Sequence, residues 1–405
     1  NHHDGASEYH GAGGPLWVGA VDNEFPICDA FMEAAQQAGH RLNPDINGAS
    51  QEGVGYFPTN IRRGMRLSSA SAFLKPARNL ENLRVVTNTT TRRVLLEGKR
   101  ATGIECSVKG QRRKYHANQE VILCAGAINS PKILELSGIG QAERLARHQV
   151  PVVHHLPGVG ENLQDHWNCY LKRSVDSGAT YYSESQPTAM LRNLWRYLLR
   201  RQGFLGNPAA LVTVFYKAAA GADRADAQIH FAPAASNVDE RGNLVPIDGI
   251  TIASCGVRPS SRGATHIASS DACEAPEIRV NFLQTQEDRT VAIEAFRKAR
   301  EICSHDAMDG YGGTELEPGD HVQTDEEILH YIRCTGEPVH HLAGSCKMGN
   351  DDYAVVDGEL RVHGIENLRV ADASIMPELV SGNTHAPCVM IAEKAADMAL
   401  GNSAE

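Results

Sequence analysis

Residues 120–136 constrain the fold more than any other part of the chain. Residues 120–124 end in the apolar run Val-Ile-Leu-Cys, which predicts a short strand that is buried on both faces. Gly126 then permits a tight turn, and Ser130 and Pro131 are typical of the N-cap and the first position of a helix. A strand, a glycine turn and a helix N-terminus in this order are how α/β proteins face a nucleotide. The segment therefore predicts at least part of an α/β nucleotide-binding domain.

Short β-branched runs precede this segment and predict a β-meander. They lie at 83–87, 93–96 and 103–108, and turn residues separate them. Helical and extended patterns alternate along the rest of the chain, and they are weakest between residues 167 and 250. The remaining predicted helices are 25–38, 191–201, 289–303, 324–333 (opened by a capping box between Thr324 and Glu327) and 387–400, and the remaining predicted strands are 264–269, 277–282 and 368–371.

Composition excludes several classes of function. The 405 residues carry 39 Lys and Arg against 49 Asp and Glu, and the net charge of −10 comes without a basic tract, so nucleic-acid binding is excluded. No apolar stretch approaches the roughly 18 residues that a membrane-spanning helix needs. None of the ten cysteines forms a CxxC pair, which favours a reducing compartment without structural disulfides. We therefore expect a soluble, cytoplasmic protein, with peripheral attachment to a membrane left open.

Two C-terminal segments carry the residues best suited to chemistry. The first, 339–349, is VHHLAGSCKMG and contains the adjacent imidazoles of His340 and His341. The second, 371–387, ends in the polar sequence GNTHAP, which places His385 directly before a predicted helix N-terminus. A helix N-terminus carries about half a positive charge and unpaired N–H groups, so it stabilises an anion or a ring with developing negative charge. The plainer alternative is an N-capping loop with incidental histidines.

These segments resemble the C-terminal signature of the glucose–methanol–choline family of flavin-dependent alcohol oxidoreductases. Three further stretches are similar to family sequences, namely GAINSPKILELSGIG at 126–140, LPGVGENLQDH at 156–166 and GMRLSSASAFL at 64–74. The order and spacing hold along most of the chain, and the choline and alkanol dehydrogenases are the most similar members. The resemblance implies bound FAD and oxidation of an alcohol to an aldehyde or ketone, with hydride transfer to flavin N5.

The resemblance also implies two catalytic residues. The family's base is the His that precedes a Gly-Thr/Ser-Cys turn, which corresponds to His341, although the neighbouring His340 is an alternative. An imidazole has an ordinary pKa of about 6.5, so it accepts a proton at neutral pH and returns it. The family's second active-site position, an Asn or a His, corresponds to His385 and would hydrogen-bond the substrate oxygen. The choline and alkanol enzymes usually carry Asn there, which weakens any transfer of substrate from them.

The flavin contacts are implied by the same resemblance. Asp372 and Ala373 would meet the ribityl–pyrophosphate region, and the backbone of Thr91 would touch the adenine. Residues 384–387 would bring backbone N–H groups and the helix dipole to the pyrimidine end of the flavin. Judged without the family, Asp372 is an ordinary turn residue after a strand. The complete implied set of cofactor-binding residues is Thr91, Gly126, Asp372, Ala373, Thr384, His385, Ala386 and Pro387.

One family element is absent from the printed sequence. The family opens with a βαβ unit whose GxGxxG turn seats the FAD pyrophosphate, and no such motif occurs here. Residues 10–16, HGAGGPL, instead resemble a segment well inside family sequences. We therefore expect this chain to correspond to the C-terminal three quarters of a flavoenzyme, and we expect it to bind FAD weakly or not at all without the missing N-terminal FAD-binding segment.

The expected fold is α/β (α+β overall), with an incomplete Rossmann-like FAD-binding domain interleaved with a substrate domain of antiparallel sheet and helices. Besides the missing segment, the expected partners are an alcohol and an electron acceptor, oxygen or a quinone. The predicted segments are 1–82 (mixed, partly substrate domain), 83–165 (FAD-binding), 166–351 (substrate-binding) and 352–405 (FAD-binding).

The sequence also allows two alternatives to a flavoenzyme. The first is a non-catalytic remnant of the family that binds a partner or a ligand without flavin. The second, a Ser/His hydrolase, is disfavoured because no GxSxG sequence occurs. No metal site is expected: His2 and His3 would bind Cu²⁺ or Ni²⁺ next to a free amino terminus at Asn1, but a solvated linker is the favoured interpretation.

Overall fold

The computed structural model describes residues 1–21, 25–176, 178–239 and 241–401. The predicted segments therefore include a few positions that lie outside the described residues, namely 22–24, 177, 240 and 402–405. The chain forms two compact units, and each is assembled from three separate stretches. The first unit comprises Asn1–Leu83, Trp167–Val257 and Arg289–Glu337, and the second comprises 84–166, 258–288 and the residues from Pro338 onward.

Both units mix helices with strands. The helices are, in chain order, α1 (Pro26–Gln37), α2 (Lys75–Ala77), α3 (Gly126–Leu136), α4 (Ala142–Arg147), α5 (Tyr181–Glu184), α6 (Pro187–Arg200), α7 (Gln286–Cys303), α8 (Asp325–Thr335) and α9 (His385–Leu400). The strands are β1 (Gly53–Tyr56), β2 (Ile61–Arg62), β3 (Met65–Arg66), β4 (Thr89–Glu97), β5 (Arg100–Val108), β6 (Gln111–His116), β7 (Val121–Leu123), β8 (Ile139–Gly140), β9 (His154–His155), β10 (Trp167–Ser174), β11 (Val212–Tyr216), β12 (Ala227–Ala232), β13 (Ala235–Val238), β14 (Leu244–Ile247), β15 (Gly249–Gly256), β16 (Ala264–His266), β17 (Glu277–Arg279), β18 (Glu315–Glu317), β19 (Glu337–Pro338) and β20 (Leu368–Val370). No helix among the described residues is both long enough and apolar enough to cross a bilayer.

An antiparallel sheet dominates the first unit. The order β1-β11-β12-β15-β10-β18 runs across it, and β19 pairs with β10. The central strands β11 and β12 are largely buried, and the ring of Phe231 on β12 stacks on Phe31 of α1 at 4.2 Å between centroids. Strands β10, β11 and β12 lie within the stretch where the sequence pattern was weakest, because strands covered on both faces lose the alternation that reveals them.

The second unit contains a small meander and a parallel strand pair. Strands β4, β5 and β6 form an antiparallel sheet, as the sequence predicts for β4 and β5. The charged strand β6, QRRKYH, was missed because it is an exposed edge without an apolar face. Strand β7 pairs in parallel with β20, and both border the main apolar core of this unit.

Several local predictions hold. The capping box of α8 is confirmed, since Thr324 and Glu327 exchange side-chain-to-backbone hydrogen bonds. Helices α1, α6, α7 and α9 lie within a few residues of their predicted ranges, and Gly401 ends α9 in the left-handed conformation that glycine favours. The mixed α/β class with antiparallel sheets is likewise confirmed.

Three local predictions are wrong. Residues 83–87 form no strand, because their apolar side chains are exposed and β4 begins only at Thr89. Strand β7 is not buried on both faces, since Ile122 is 40% exposed. Helix α3 begins at Gly126 with a φ of +78°, so Ser130 and Pro131 lie inside the helix and do not start it.

A buried ionic cluster connects three elements of the second unit. The fully buried Glu135 of α3 accepts from Nδ1 of His266 (2.9 Å) and from the backbone N–H of Ile267 (2.7 Å). The other ring nitrogen, Nε2 of His266, lies 3.1 Å from a carboxylate oxygen of Glu161. Both ring nitrogens therefore face acceptors, which favours the imidazolium form. Burial acts to lower the pKa of His266, but the hydrogen bonds to the two carboxylates outweigh it, and the pKa is raised.

This cluster predicts a pH-dependent stability. A histidine whose pKa is raised by folding stabilises fully below its unfolded pKa of about 6.5, and the contribution is lost as the pH rises through the folded pKa. We expect His266→Gln to lower the free energy of unfolding by about 3 kcal/mol at about pH 6, because it leaves the buried carboxylate of Glu135 without its charged partner. Urea denaturation at about pH 6 and about pH 8.5 should show the difference from wild type shrinking at the higher pH. The exposed His116→Gln is the matched control, and an equal His266→Gln effect at both pH values would contradict this role.

Candidate active site

The imidazole of His341 lies in a cluster of polar groups within the second unit. Its Nδ1 is 3.0 Å from Nδ1 of His166, and the two rings are nearly perpendicular at 87°. The backbone N–H of His341 donates to Oδ1 of Asp165 (2.7 Å), and the backbone N–H of His166 donates to the same oxygen (2.9 Å). One carboxylate oxygen thus holds the backbones of both histidines.

Backbone pairing explains why these distant residues meet. Gln164 and Ala343 form an antiparallel bridge with hydrogen bonds in both directions, each 3.0 Å long. Beside it, the N–H of Val339 donates to the carbonyl of His166 (3.0 Å). His340 adopts a φ of +62°, which turns the chain between these two contacts. Two antiparallel segments therefore place His166 and His341 side by side.

Burial shifts the pKa values of His341 and Asp165. Burial, followed by the charge of nearby His340, lowers the pKa of His341 to about 4. Burial also raises the pKa of Asp165 to about 6, against the opposing hydrogen bonds from the backbones of His341 and His166. His341 is therefore a neutral imidazole at neutral pH, which is the form that accepts a proton.

The neighbours of His341 also determine which ring nitrogen carries its proton. On the far side of the ring, Nε2 lies 3.4 Å from the side-chain amide nitrogen of Asn383. An amide nitrogen only donates, so a hydrogen bond from Asn383 pairs with the tautomer of His341 that has its lone pair on Nε2. In that tautomer the proton is on Nδ1 and faces Nδ1 of His166. This tautomer offers Nε2 as the basic nitrogen of His341.

The second predicted catalytic residue, His385, lies at the start of α9. It is the first residue of that helix and is exposed, and the described residues show no hydrogen bond between it and His341. Asn383, two residues earlier in the same GNTHAP segment, lies beside His341. Sequence reasoning missed Asn383, Asp165 and the part played by His166, although the last two belong to the LQDH stretch.

The Gly344-Ser345-Cys346 turn is fixed by a side-chain hydrogen bond to α3. Pro131 has no N–H, so α3 cannot satisfy the carbonyl of Ala127 internally. The hydroxyl of Ser345 donates to that carbonyl at 2.5 Å. Gly344 has a φ of +90°, and a Cβ there would lie 2.5 Å from the carbonyl oxygen of Asn162, so the position requires glycine. The turn that follows His341 is thereby held in one conformation.

Asp372 organises the start of α3. Its Oδ2 accepts from the backbone N–H of Gly126 (2.9 Å) and from the hydroxyl of Ser130 (2.5 Å). Its Oδ1 accepts from the backbone N–H of Ser374 (2.8 Å). Asp372 therefore connects the ends of the parallel strands β7 and β20, where an α/β domain binds its nucleotide.

The residues present fit a flavin. A Cβ added to Gly126 would contact nothing within 4 Å, so open space adjoins this turn. The N-terminus of α9 has no side-chain cap, and His385 and Ala386 there are exposed, so its N–H groups and dipole are available to an anionic ring. The remaining predicted cofactor residues are placed as follows: Thr91 on β4, Ala373 in the turn after Asp372, Thr384 at the N-cap of α9 and Pro387 in its first turn.

Comparison with known proteins identifies relatives along the whole chain. Two models described as GMC oxidoreductase match residues 4–168 and 259–392. Human mitochondrial choline dehydrogenase is 42% identical over 415 residues, covering 100% of this chain and 68% of that protein. The oxygen-dependent choline dehydrogenase of Brucella suis biovar 1 (strain 1330) is 39% identical, covering 100% of this chain and 73% of that protein.

Solved structures agree in fold. Pyridoxine 4-oxidase from Mesorbium loti superimposes with a TM-score of 0.85 at 29% identity, covering 98% of this chain and 74% of that one. Formate oxidase superimposes with a TM-score of 0.89 at 23% identity, covering 97% of this chain and 74% of that one. The second likeness concerns the fold alone.

Two substitutions separate the hydrogen-bonding role of Asp165 from its charge. Asp165→Asn keeps an oxygen that accepts from the backbones of His166 and His341. Asp165→Ala leaves both N–H groups without it, at about 1–3 kcal/mol for each buried group. We expect the thermal unfolding midpoint to fall clearly in the Ala variant and to change little in the Asn variant. Equal losses in the two variants would assign the stabilisation to the carboxylate charge instead.

Proposed function

This chain belongs to the GMC oxidoreductase family, and we propose that His341 is the base with which it removes the hydroxyl proton of an alcohol. The protein is an FAD-dependent alcohol oxidoreductase. The observation that carries the proposal is the environment of His341, a neutral imidazole that has Nδ1 facing His166 and Nε2 beside Asn383. A base needs that combination of protonation state and orientation.

We propose that the flavin is held by the residues around α3 and α9. Asp372 and Gly126 would meet the ribityl–pyrophosphate region, and the uncapped N-terminus of α9 would face the pyrimidine end of the ring. When bound, FAD accepts the hydride from the carbinol carbon at N5. The half positive charge at the N-terminus of α9 would stabilise the negative charge that this transfer leaves on the ring.

His341 would act on the hydroxyl group that the same carbon carries. Its Nε2 would take the hydroxyl proton and pass into the imidazolium form, while Nδ1–H continues to donate to His166. Asn383, beside Nε2, and His385, at the start of α9, are the candidates for holding the substrate oxygen. Asp165 would keep His341 and His166 in place through their backbones.

Choline is the first substrate to test, because the relatives at 42% and 39% identity are named for it. His385 argues for a wider panel, since choline and alkanol enzymes usually have Asn at that position. One of those relatives is called oxygen-dependent, so oxygen and a quinone should be compared as electron acceptors.

Removal of the base should slow the chemical step. In the FAD-loaded enzyme, we expect His341→Ala to reduce the rate of flavin reduction by roughly 10²- to 10⁴-fold, the usual contribution of a general base. Anaerobic stopped-flow spectroscopy follows the bleaching of the oxidised flavin on mixing with the alcohol. Bound FAD is quantified in the same samples, so that a loss of cofactor is not mistaken for a loss of rate.

His340→Ala is the matched control, because it removes the adjacent imidazole. A flavin-reduction rate that falls in His340→Ala and stays unchanged in His341→Ala would transfer the role of base to His340. An unchanged rate in both variants would remove this pair of histidines from the mechanism.

The pKa of His341 predicts the acid limb of the rate. An ordinary imidazole is half protonated near pH 6.5, and the protonated half of the molecules cannot act as a base. Because burial lowers the pKa of His341 to about 4, the base stays neutral well below that pH. The carboxyl of Asp165, whose pKa is raised to about 6, would titrate in the same pH range. The pH dependence of kcat/KM is therefore measured in Asp165→Asn, which removes that carboxyl. The expected profile is flat from about pH 8 down to about pH 5.5, and a half-loss near pH 6.5 would contradict the lowered pKa.

A further inference from the structure

A tight turn in the first unit gathers three side chains that can bind a metal. One ligand atom from each of His2, His3 and Asp4 lies within 4.8 Å of the other two. Consecutive residues in an extended chain point in opposite directions, so a turn is needed to bring them together. The turn is closed by the N–H of Gly5, which donates to the carbonyl of His2 (3.1 Å), and Gly5 has a φ of +90°.

Two further residues extend this group. The ring of His10 stacks on His2 with 4.0 Å between centroids and 6° between planes. Nε2 of His10 lies 2.8 Å from Oδ2 of Asp45. A carboxylate on one ring nitrogen fixes the ring and leaves the other nitrogen for a metal, an arrangement common in metal sites.

The backbone holds this segment in place. The N–H of His2 donates to Gly11 (2.9 Å), the N–H of His3 donates to Val18 (2.9 Å), and the N–H of Ser7 donates to His10 (2.9 Å). The nitrogen of Asn1 donates to the carbonyl of Leu16 (2.7 Å) and is not among the candidate ligands. The solvated linker favoured by the sequence is thus a folded-back segment whose backbone is held by hydrogen bonds.

We propose that His2, His3 and Asp4 bind one divalent transition-metal ion, with His10 as the nearest additional donor. Imidazole nitrogens with one carboxylate suit Zn²⁺ and its neighbours, whereas Ca²⁺ and Mg²⁺ prefer oxygen ligands. Metal bonds of about 2.1 Å require the donor atoms to approach within about 3.5 Å of one another. The side chains of His3 and Asp4 are 31% and 74% exposed, and the proposed site requires them to rotate to reach that distance.

The ion would stabilise the segment that carries its ligands. His2 and His3 are bonded to Gly11 and Val18, so a metal bridge across the turn would hold residues 2–18 together. None of these residues takes part in the proton transfer assigned to His341, so the site is additional to the oxidation of the alcohol.

The test is a zinc titration of the full chain against a chromophoric chelator. We expect one Zn²⁺ per chain with a Kd in the micromolar range or below, and a rise in the thermal unfolding midpoint on zinc addition. His3→Ala and Asp4→Asn should each weaken binding at least tenfold, and the exposed His116→Ala should leave it unchanged. Co²⁺ supplies a second readout, because the visible spectrum of a four-coordinate site should appear in wild type and disappear in His3→Ala.

The proposal would be overturned by the absence of saturable Zn²⁺ binding, or by binding that His116→Ala weakens as much as His3→Ala does. Circular dichroism shows whether each variant is folded. Should His3→Ala be unfolded, His10→Gln and Asp4→Asn replace it, and unaltered zinc affinity in both would count against the site.

Discussion

One carboxylate oxygen organises the candidate active site. Oδ1 of Asp165 accepts the backbone N–H groups of both His166 and His341, residues 175 positions apart in the sequence. Both hydrogen bonds involve backbone N–H groups, so they fix the backbone positions of His166 and His341. The ring nitrogens remain available, and the two rings contact each other through Nδ1. The tautomer of His341, and with it the basicity of Nε2, depends on that meeting. Removal of water by burial completes the effect, because it keeps the ring neutral.

The same site depends on two side-chain hydrogen bonds to backbone groups of α3 that have no partner within the helix. Asp372 occupies the N–H of Gly126 at the start of α3, and Ser345 occupies the carbonyl that Pro131 leaves unpaired. Both bonds connect α3 to the C-terminal segments that carry His341 and α9. The positions that face the proposed flavin are therefore held by side-chain hydrogen bonds between residues far apart in the sequence.

The sequence was informative where chemistry or local geometry is concentrated in a few neighbouring residues. His341 could be singled out from the turn that follows it, and the capping box of α8 could be predicted from Thr324 and Glu327 alone. The contact between His166 and His341 could not, because it depends on the long-range bridge between Gln164 and Ala343. Ser130 and Pro131 imitate a helix start, but α3 begins five residues earlier, at Gly126, where Asp372 accepts the backbone N–H of Gly126. An antiparallel sheet was expected from the family resemblance, but strands β10, β11 and β12 could not be located in the sequence, because residues 167–250 show no clear pattern.

The proline inside α3 has a consequence for how the protein folds. The bond from Ser345 to Ala127 spans 218 residues, so the helix reaches its full complement of hydrogen bonds only after a very large loop has closed. Contacts of such high sequence separation form slowly, since the chain entropy is lost before the contact is gained. The bond between Ser345 and Ala127 therefore forms only when two segments 218 residues apart have come together. The turn that follows His341 depends on that long-range contact, so activity at this site would require the contact to be in place.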